Sequence, residues 1–255
     1  MKLSLCIATY NEENFLHFPL DSSYDFVDEV IIVDGSSTDG TAQKAKSYGN
    51  KVKVFVEENP PMFHINKQKA IEKASGDWIL QLDADEAVTP ELKREILDVV
   101  TGGADKKTVA YWIPRKNYFL GRFLTKGGLY PDYTIRLYKK GVAHFPCKTV
   151  HENVEIKGAI GYLKNDLLHY ADPDFQRYLK RWRRYTTLDA RILIKDKKKP
   201  EIFSYFIVKP IAWFLSSYGR HKGFLDGWQG FVFAFMSSIR FFRIYTEYQR
   251  LRRRQ

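Results

Sequence analysis

Residues 78–86 read Trp-Ile-Leu-Gln-Leu-Asp-Ala-Asp-Glu, and this stretch decides the fold. Its first five residues are typical of a buried strand in the middle of a sheet. Three carboxylates follow within four positions, which is costly where the chain leaves a sheet unless a cation neutralises them. Hard cations such as Mg²⁺ or Mn²⁺ take carboxylate oxygens together with substrate phosphate. The alternative is an acidic loop that caps the helix expected from Pro90.

The first hundred residues around this stretch alternate between strand and helix patterns. Strands are expected at residues 3–9, 29–33, 51–56 and 78–82, and helices at 42–48, 65–74 and 90–100. This alternation predicts an α/β fold with a parallel, doubly wound sheet. Ligands of such sheets bind outside the carboxyl ends of the strands. Since three of these strands end in polar residues, at 9–12, 34–37 and 83–85, we expect one shared site.

Four sequence elements in this half of the chain carry a family resemblance. They are Ile-Ala-Thr-Tyr-Asn-Glu at 7–12, Val-Ile-Ile-Val-Asp-Gly-Ser-Ser-Thr-Asp-Gly-Thr at 30–41, Asn-Lys-Gln at 66–68 with Ala-Ser-Gly-Asp at 74–77, and Leu-Asp-Ala-Asp-Glu at 82–86. Their order and spacing resemble the family 2 inverting glycosyltransferases, enzymes of the GT-A fold that use nucleotide-diphosphate sugars.

A narrower likeness covers nearly the whole chain. Together with 82–86, it rests on Arg-Leu-Tyr at 136–138, Val-His-Glu at 150–152 and Gly-Phe-Leu-Asp-Gly at 223–227. With these motifs the chain resembles the bacterial lipopolysaccharide-core branch of WaaE-like β-glucosyltransferases. The resemblance implies a Rossmann-like mixed sheet with helices on both faces in residues 1–173. Within it, 1–100 would form the nucleotide-binding half and 101–173 the acceptor half.

The resemblance also assigns residues to the nucleotide-sugar donor. The assigned set is Ala8, Thr9, Tyr10, Glu12, Asp34, Lys67, Asp83, Ala84 and Arg136. Asp34 would accept a hydrogen bond from the nucleobase, or it would only cap the turn that begins at Gly35. Tyr10 would lie against the base, which Ala8 and Thr9 would line. Glu12 could instead cap the following helix.

By the same resemblance, Asp83 would bind the ribose, and Asp85 would bind the Mg²⁺ or Mn²⁺ that bridges the two phosphates. The reaction needs such a cation because a nucleoside diphosphate leaves with growing negative charge. Lys67 stands where many relatives have Arg, and it would be either a point charge near phosphate or an exposed helix lysine. Arg136 could pair with the diphosphate, with an anionic acceptor or with a neighbouring carboxylate.

An inverting transferase must deprotonate the acceptor hydroxyl as that hydroxyl attacks, and a carboxylate is the usual base. Glu152 is the candidate by resemblance, with Asp132 and Asp166 as weaker alternatives. His151 or His169 could supply a further metal ligand, although a lone histidine is more often structural. A Gly-rich loop that holds Lys126, Gly127, Gly128 and Tyr130 could serve as an acceptor loop or lid.

The last third of the chain carries the whole basic excess. Residues 174–255 contain 19 Lys and Arg against 6 Asp and Glu, a net charge of +13, whereas residues 1–173 have a net charge of −2. Aromatic and aliphatic residues alternate with these charges in helical patterns, but no apolar run reaches the roughly 20 residues of a membrane span. A basic amphipathic helical region of this kind is expected to lie on an anionic membrane surface. The alternatives are a helical subdomain packed on the core and a groove that binds single-stranded nucleic acid. The high apolar content of these helices favours the membrane surface, and no nucleic acid is expected.

These interpretations predict a metal-dependent transferase that moves a sugar, glucose by the resemblance, from a UDP-sugar to a lipid-linked saccharide such as lipopolysaccharide inner core. We expect it in the cytoplasm, peripheral on the inner face of the cytoplasmic membrane, since the sequence has two cysteines and no signal-peptide pattern. Alternatives are a polyprenyl-phosphate sugar synthase, a nucleotidyltransferase, and a non-enzymatic membrane- or RNA-binding module on a degenerate transferase core.

Overall fold

A computed structural model describes residues 1–103, 105, 107–147 and 154–253 of the chain. Two compact units are present. Unit 1 comprises Met1–Arg115 and Asp132–His169, and unit 2 comprises Lys116–Pro131 and Tyr170–Gln255. Unit 2 therefore includes a segment from the middle of the chain, whereas the sequence places a single boundary between residues 173 and 174. The functional division at that boundary stays a prediction.

Unit 1 contains the parallel strands that the sequence predicts. They are β1 (Leu3–Thr9), β2 (Glu29–Asp34), β3 (Val52–Val56) and β4 (Trp78–Asp83), adjacent in the order β3-β2-β1-β4. Helices α1 (His17–Ser23), α2 (Thr41–Ser47) and α3 (His64–Lys73) follow the first three strands. After β4 come a short strand β5 (Glu86–Val88), helix α4 (Pro90–Asp98) and a wide helical turn at Val99–Gly103.

Both faces of this sheet are buried. Neighbouring residues of a strand point to opposite faces, and Ile32 belongs to a core that also contains Leu92 of α4. Ile31, one position earlier, belongs to a second core that contains Ala70 of α3. Because each face has its own helices, the strands read as continuous apolar runs. The predicted helices on both faces are confirmed.

The rest of the sheet is largely antiparallel. Its strands are β6 (Thr108–Phe119), β7 (Arg122–Leu124), β8 (Asp132–Lys139), β11 (Ala159–Tyr162) and β12 (Leu167–Asp172), and β9 (Ala143–His144) with β10 (Glu155–Ile156) forms a separate pair. β8 runs antiparallel to β4 and to β6, and β12 runs antiparallel to β5. Parallel and antiparallel pairs share one sheet, so the predicted mixed architecture is confirmed.

The helix after the acidic stretch has its own cap. Thr89 precedes α4 with an extended backbone, and its Oγ1 accepts a hydrogen bond from the Leu92 N–H at 3.2 Å. This is the usual N-cap contact. The alternative in which residues 83–85 cap this helix is therefore wrong, since their place is at the end of β4 and in the turn to β5.

Unit 2 is mainly helical. It contains α5 (Phe175–Lys195), α6 (Lys209–Phe214) between π-helical segments at Ser204–Val208 and Leu215–Arg220, a 3₁₀ turn at Gly223–Asp226, and α7 (Gly227–Arg252). Edge-on ring contacts of Phe119 with Tyr178 at 5.0 Å and with Phe233 at 5.4 Å form part of its core. Within the part of the chain that the structure describes, no helix combines the length and the apolar character that crossing a bilayer requires.

Candidate active site

The carboxyl ends of three parallel strands bring the predicted polar residues together in unit 1. In the strand register Thr9 lies opposite Asp34, the last residue of β2. Ala8 lies opposite Asp83, the last residue of β4. Ala84, the next residue, is buried in the first core. This is the edge of a parallel sheet at which ligands bind.

Asp34 is almost fully buried, and its carboxylate caps the turn that follows β2. Its two oxygens accept hydrogen bonds from the Ser37 N–H at 2.8 Å and the Ser37 hydroxyl at 2.5 Å. Tyr10, next to this turn, is 45% exposed and presents a ring surface to solvent. The Glu12 N–H donates to Thr41 Oγ1 at 2.9 Å, which fastens the loop after β1 to the start of α2.

Asp83 is held between two cations. Lys67 Nζ lies 2.5 Å from its Oδ1, and Arg136 Nη2 lies 2.6 Å from its Oδ2. Burial alone would raise the pKa of Asp83, but the charges of Arg136 and Lys67 outweigh burial and hold this pKa well below its usual value. Lys67 is buried, so of the two alternatives for this residue the exposed helix lysine is wrong. Burial lowers the pKa of Lys67, and the charge of Asp83 offsets part of that effect.

A second carboxylate, Glu86, holds Arg136 in place. Glu86 is fully buried, and it accepts from Arg136 Nε at 2.9 Å and from Arg136 Nη2 at 2.8 Å. Its Oε1 also accepts from Arg115 Nη1 at 3.1 Å. Burial lowers the pKa of Arg136, but the charges of Asp83 and Glu86 act more strongly and raise that pKa above its ordinary value. Arg136 thus pairs with neighbouring carboxylates, as one of the three expectations has it, and its contact with a diphosphate or an anionic acceptor stays a prediction.

Sequence reasoning did not identify Glu86 and Arg115 as part of this cluster. Glu86 follows Asp83 and Asp85 closely, but its burial depends on β5, a three-residue strand that no periodicity reveals. Arg115 is 29 residues from Glu86 in sequence and has no motif of its own. The one available signal was the change from acidic to apolar residues at 86–88, which indicates that the chain turns back into the core.

Asp85 lies beside a histidine from β12. Its Oδ1 is 3.5 Å from His169 Nε2, and both side chains are less than one-fifth exposed. Among the residues that the structure describes, no group of three or more His, Cys, Asp or Glu is arranged to hold a metal ion. The Asp85 carboxylate is nonetheless the ligand type that Mg²⁺ and Mn²⁺ prefer, and the His169 imidazole 3.5 Å away is a common ligand of transition metals, so the pair suits Mn²⁺ better than Mg²⁺.

The candidate base Glu152 and the candidate ligand His151 lie in residues 148–153, outside the described residues. Of the alternatives for the base, Asp132 is ion-paired, with its Oδ2 2.7 Å from Arg115 Nη2. Asp166 follows the turn before β12, and its backbone carbonyl accepts a hydrogen bond from Thr89 Oγ1 at 2.9 Å. The role of the base therefore stays a prediction for Glu152.

The formal charges of the described cluster balance. Three cations face three carboxylates: Lys67, Arg115 and Arg136 against Asp83, Glu86 and Asp132. Each cation is already ion-paired, while Asp85 adds a further negative charge at the edge of the cluster. The arrangement can hold Asp83 rigidly in its charged form. A cation bound at Asp85 would offset the negative charge that Asp85 adds to the balanced cluster.

Comparison with known proteins gives one family for this chain. The family model described as Glycosyl transferase family 2 matches residues 4–150, more than half of the chain. The lipopolysaccharide core biosynthesis glycosyltransferase LpsC of Rhizobium meliloti is 28% identical over 255 residues, which span 95% of this chain and 93% of that protein.

Two solved structures share the architecture. Mannosyltransferase PcManGT from Pyrobaculum calidifontis, in complex with GDP-Man and Mn²⁺, superposes with a TM-score of 0.56 at 16% identity, covering 97% of this chain and 87% of that one. Residues 1–349 of TarS from Staphylococcus aureus, in complex with UDP-GlcNAc, give a TM-score of 0.52 at 18% identity, covering 100% and 93%. At these identities the likeness concerns the fold.

Proposed function

This chain belongs to glycosyl transferase family 2 and is a glycosyltransferase, and we propose that it transfers a sugar from a UDP-sugar to a lipid-linked saccharide of the cell envelope. The family resemblance seen in the motifs is thereby confirmed. Glucose as the sugar and lipopolysaccharide inner core as the acceptor are our proposals. The name of LpsC, which matches nearly the full length of both chains, supports an acceptor of this class.

The observation that carries the proposal is the clamped carboxylate at the end of β4. Asp83 is fixed through both oxygens by Lys67 and Arg136, and its side chain is still 28% exposed. A rigid, charged acceptor at this edge suits a ribose hydroxyl, because Oδ2 keeps a second lone pair beside its Arg136 contact, whereas Oδ1 accepts from both Lys67 and, at 3.4 Å, Gln81 Nε2. Asp34 and Tyr10, at the neighbouring strand ends, would then read and cover the base.

Asp85 and His169 would hold the divalent cation. Together they offer two ligands, and hard cations commonly fill their remaining positions with phosphate oxygens and water. The bound cation would neutralise charge on the departing nucleoside diphosphate. The Mn²⁺ in the complex of PcManGT with GDP-Man supports a metal-dependent reaction for this fold.

The transfer itself would be a single displacement. The acceptor hydroxyl attacks the anomeric carbon from the side opposite the nucleotide, its proton passes to Glu152, and the bond from the anomeric carbon to the diphosphate oxygen breaks with its electron pair. The configuration at the anomeric carbon is thereby inverted. Asp132 is less suited to the role of base, because Arg115 already occupies its Oδ2.

A nucleotide-release assay tests the proposal. UDP-, GDP- and dTDP-sugars would each be incubated with the full chain and lipid extract, with and without Mn²⁺. We expect UDP release that requires both metal and lipid. Release of pyrophosphate would instead indicate a nucleotidyltransferase. Transfer of the sugar to a lipid phosphate would indicate a polyprenyl-phosphate sugar synthase, and absence of any turnover would favour the non-enzymatic binding module.

A matched pair of variants tests the site. Asp85→Asn removes the charge of the proposed metal ligand and should lower Mn²⁺-dependent release about a hundredfold. Asp98→Asn makes the same change on the exposed surface of α4 and should leave release unchanged. If Asp85→Asn bound UDP with unchanged metal dependence, the assignment of Asp85 would be wrong.

A further inference from the structure

Exposed apolar side chains are concentrated in one part of unit 2. Of the 21 large apolar side chains exposed among the described residues, 12 lie between residues 202 and 235. We call this set the interfacial surface; it consists of Ile202, Phe203, Ile207, Val208, Ile211, Trp213, Leu215, Phe224, Leu225, Trp228, Phe231 and Phe235. A soluble surface normally exposes such residues singly, so a concentration of this size indicates a binding surface.

Part of the interfacial surface forms a continuous row of rings. Phe224 contacts Tyr218 with ring centroids 6.1 Å apart, and Tyr218 contacts Phe231 at 5.7 Å. Phe231 in turn stacks on Phe235 at 6.1 Å. Rings on the 3₁₀ turn, on α7 and on the preceding helix therefore meet, while Phe224, Phe231 and Phe235 each remain about half exposed.

The charges along the stretch of sequence that carries these rings are mostly positive. From residue 202 to residue 246 the sequence contains a single carboxylate, Asp226, against five Lys and Arg residues. Asp226 is only 2% exposed, so no exposed carboxylate lies within this stretch, and the exposed Glu201 stands at its start, next to Ile202. An apolar stretch whose exposed charges, apart from Glu201 at its start, are all cations complements the headgroup region of an anionic bilayer, where hydrocarbon and phosphate are close together. A protein partner would need to be both apolar and acidic to match it as well.

We propose that the interfacial surface inserts its rings and aliphatic side chains into the headgroup region of an anionic bilayer. The proposal rests on the proposed function, since an enzyme that glycosylates a lipid-linked acceptor must meet its substrate at that interface. Arg220 and Lys222, both exposed beside the 3₁₀ turn, would contact the lipid phosphates.

Hydrogen bonds tie this surface to the Gly-rich loop. The carboxylate of Asp226 accepts from the Thr125 N–H at 3.0 Å and from the Lys126 N–H at 2.8 Å. Ser217 Oγ donates to the Gly127 carbonyl at 3.2 Å. Asp226 directly follows the exposed Leu225, so docking on lipid would also fix the loop that the sequence suggests for the acceptor. The loop would then be held at the interface where the acceptor is anchored.

Vesicle co-sedimentation of the full chain tests the docking. The probes are vesicles of phosphatidylcholine alone and of phosphatidylcholine with about 30% phosphatidylglycerol. We expect binding to the anionic vesicles, and a loss of at least about tenfold in partition for Phe224→Ser/Leu225→Ser/Trp228→Ser. The control Val56→Ser/Tyr162→Ser removes equally exposed apolar side chains from unit 1 and should bind like the wild type.

A charge pair and a spectroscopic probe give independent readouts. Arg220→Gln/Lys222→Asn should weaken anionic binding, whereas Lys46→Gln/Lys140→Gln, exposed on unit 1, should not. Asn suits position 222 because Lys222 has a left-handed backbone, with φ 56°. Brominated lipid should quench Trp fluorescence, and Trp213→Phe/Trp228→Phe should remove most of that quenching while preserving apolar character.

Two results would overturn the docking surface. One is equal vesicle binding by the surface variant and by the unit 1 control. The other is a wild-type dimer, or a stable complex with a soluble protein, that the Phe224 variant loses without any loss of lipid binding. Lipid binding without nucleotide release would contradict the proposed function alone, and release with no lipid binding would contradict the docking alone.

Discussion

Glu86→Gln should be far more destabilising than its small change in shape suggests. The two oxygens of Glu86 accept four hydrogen bonds in a fully buried position. Oε2 accepts from the Asp83 N–H at 3.0 Å and from Arg136 Nε at 2.9 Å. Oε1 accepts from Arg136 Nη2 at 2.8 Å and from Arg115 Nη1 at 3.1 Å. In glutamine one of these oxygens becomes an NH₂ group, so two of the four bonds are lost and donors face donors.

The size of the loss follows from the charges of the partners. A hydrogen bond to a charged group contributes about 1.5–3 kcal/mol, and unpairing a buried charge costs about 3–5 kcal/mol. We therefore expect Glu86→Gln to lower the free energy of unfolding by about 3–5 kcal/mol, a large part of the usual 5–15 kcal/mol. For a chain of this length that corresponds to a drop in Tm of about 10 °C.

Urea unfolding followed by circular dichroism, with the m-value compared between variants, measures this loss. The matched control is Glu91→Gln on α4, where the ion pair with Arg94 at 3.2 Å is exposed. An exposed pair of this kind contributes about 1 kcal/mol or less. If Glu86→Gln lost no more stability than Glu91→Gln, the buried charge cluster would not be a source of stability.

Three further changes test separate parts of the fold. Burial alone would raise the pKa of Glu29, but hydrogen bonds from neighbouring serines and a backbone N–H lower it to about 2. A lowered carboxyl pKa stabilises the fold above the unfolded value near 4.3, and that stability is lost as the pH falls toward 2. In urea titrations, the wild type should therefore lose about 2 kcal/mol more than Glu29→Gln between pH 7 and pH 3. Thr89→Ala removes the N-cap of α4 and should cost about 1 kcal/mol in the same assay. In Gly230→Ala a new Cβ would lie 2.0 Å from the Gly223 carbonyl oxygen, so its Tm should fall well below that of Gly219→Ala, where no atom lies within 4 Å.

Local signals in the sequence predicted the parallel half of the sheet closely. The strand expected at residues 3–9 is β1, and the strand expected at 78–82 is β4 with one further residue. Strands buried on both faces are continuous apolar runs, which a single sequence reveals without knowledge of the partners. The polar residues after them could be placed for the same reason, since strands that run parallel end at the same edge.

The partners of those polar residues could not be predicted in the same way. Arg136 reaches Glu86 and Asp83 over separations of 50 and 53 residues, and β8, the strand that carries it, is antiparallel to β4. Strand order and register decide such contacts, and the local hydrophobic pattern of the sequence predicts neither of them. For the same reason Lys67 could be read as an exposed helix residue, since α3 has only a weak apolar face and the burial of this lysine depends on the carboxylate opposite it.

The balance of charge in the cluster has a consequence for how donor and metal would bind. Lys67, Arg115 and Arg136 are each ion-paired with a carboxylate, so much of their positive charge is already offset within the cluster. In our proposal, the negative charge of the diphosphate is met by a divalent cation that binds together with it. Asp85 and His169 offer two ligands, too few to bind a hard cation tightly without phosphate oxygens. In our proposal the bound metal completes the site for the donor, and the donor phosphates complete the site for the metal. By linkage, the donor must then tighten metal binding by the same factor by which the metal tightens donor binding.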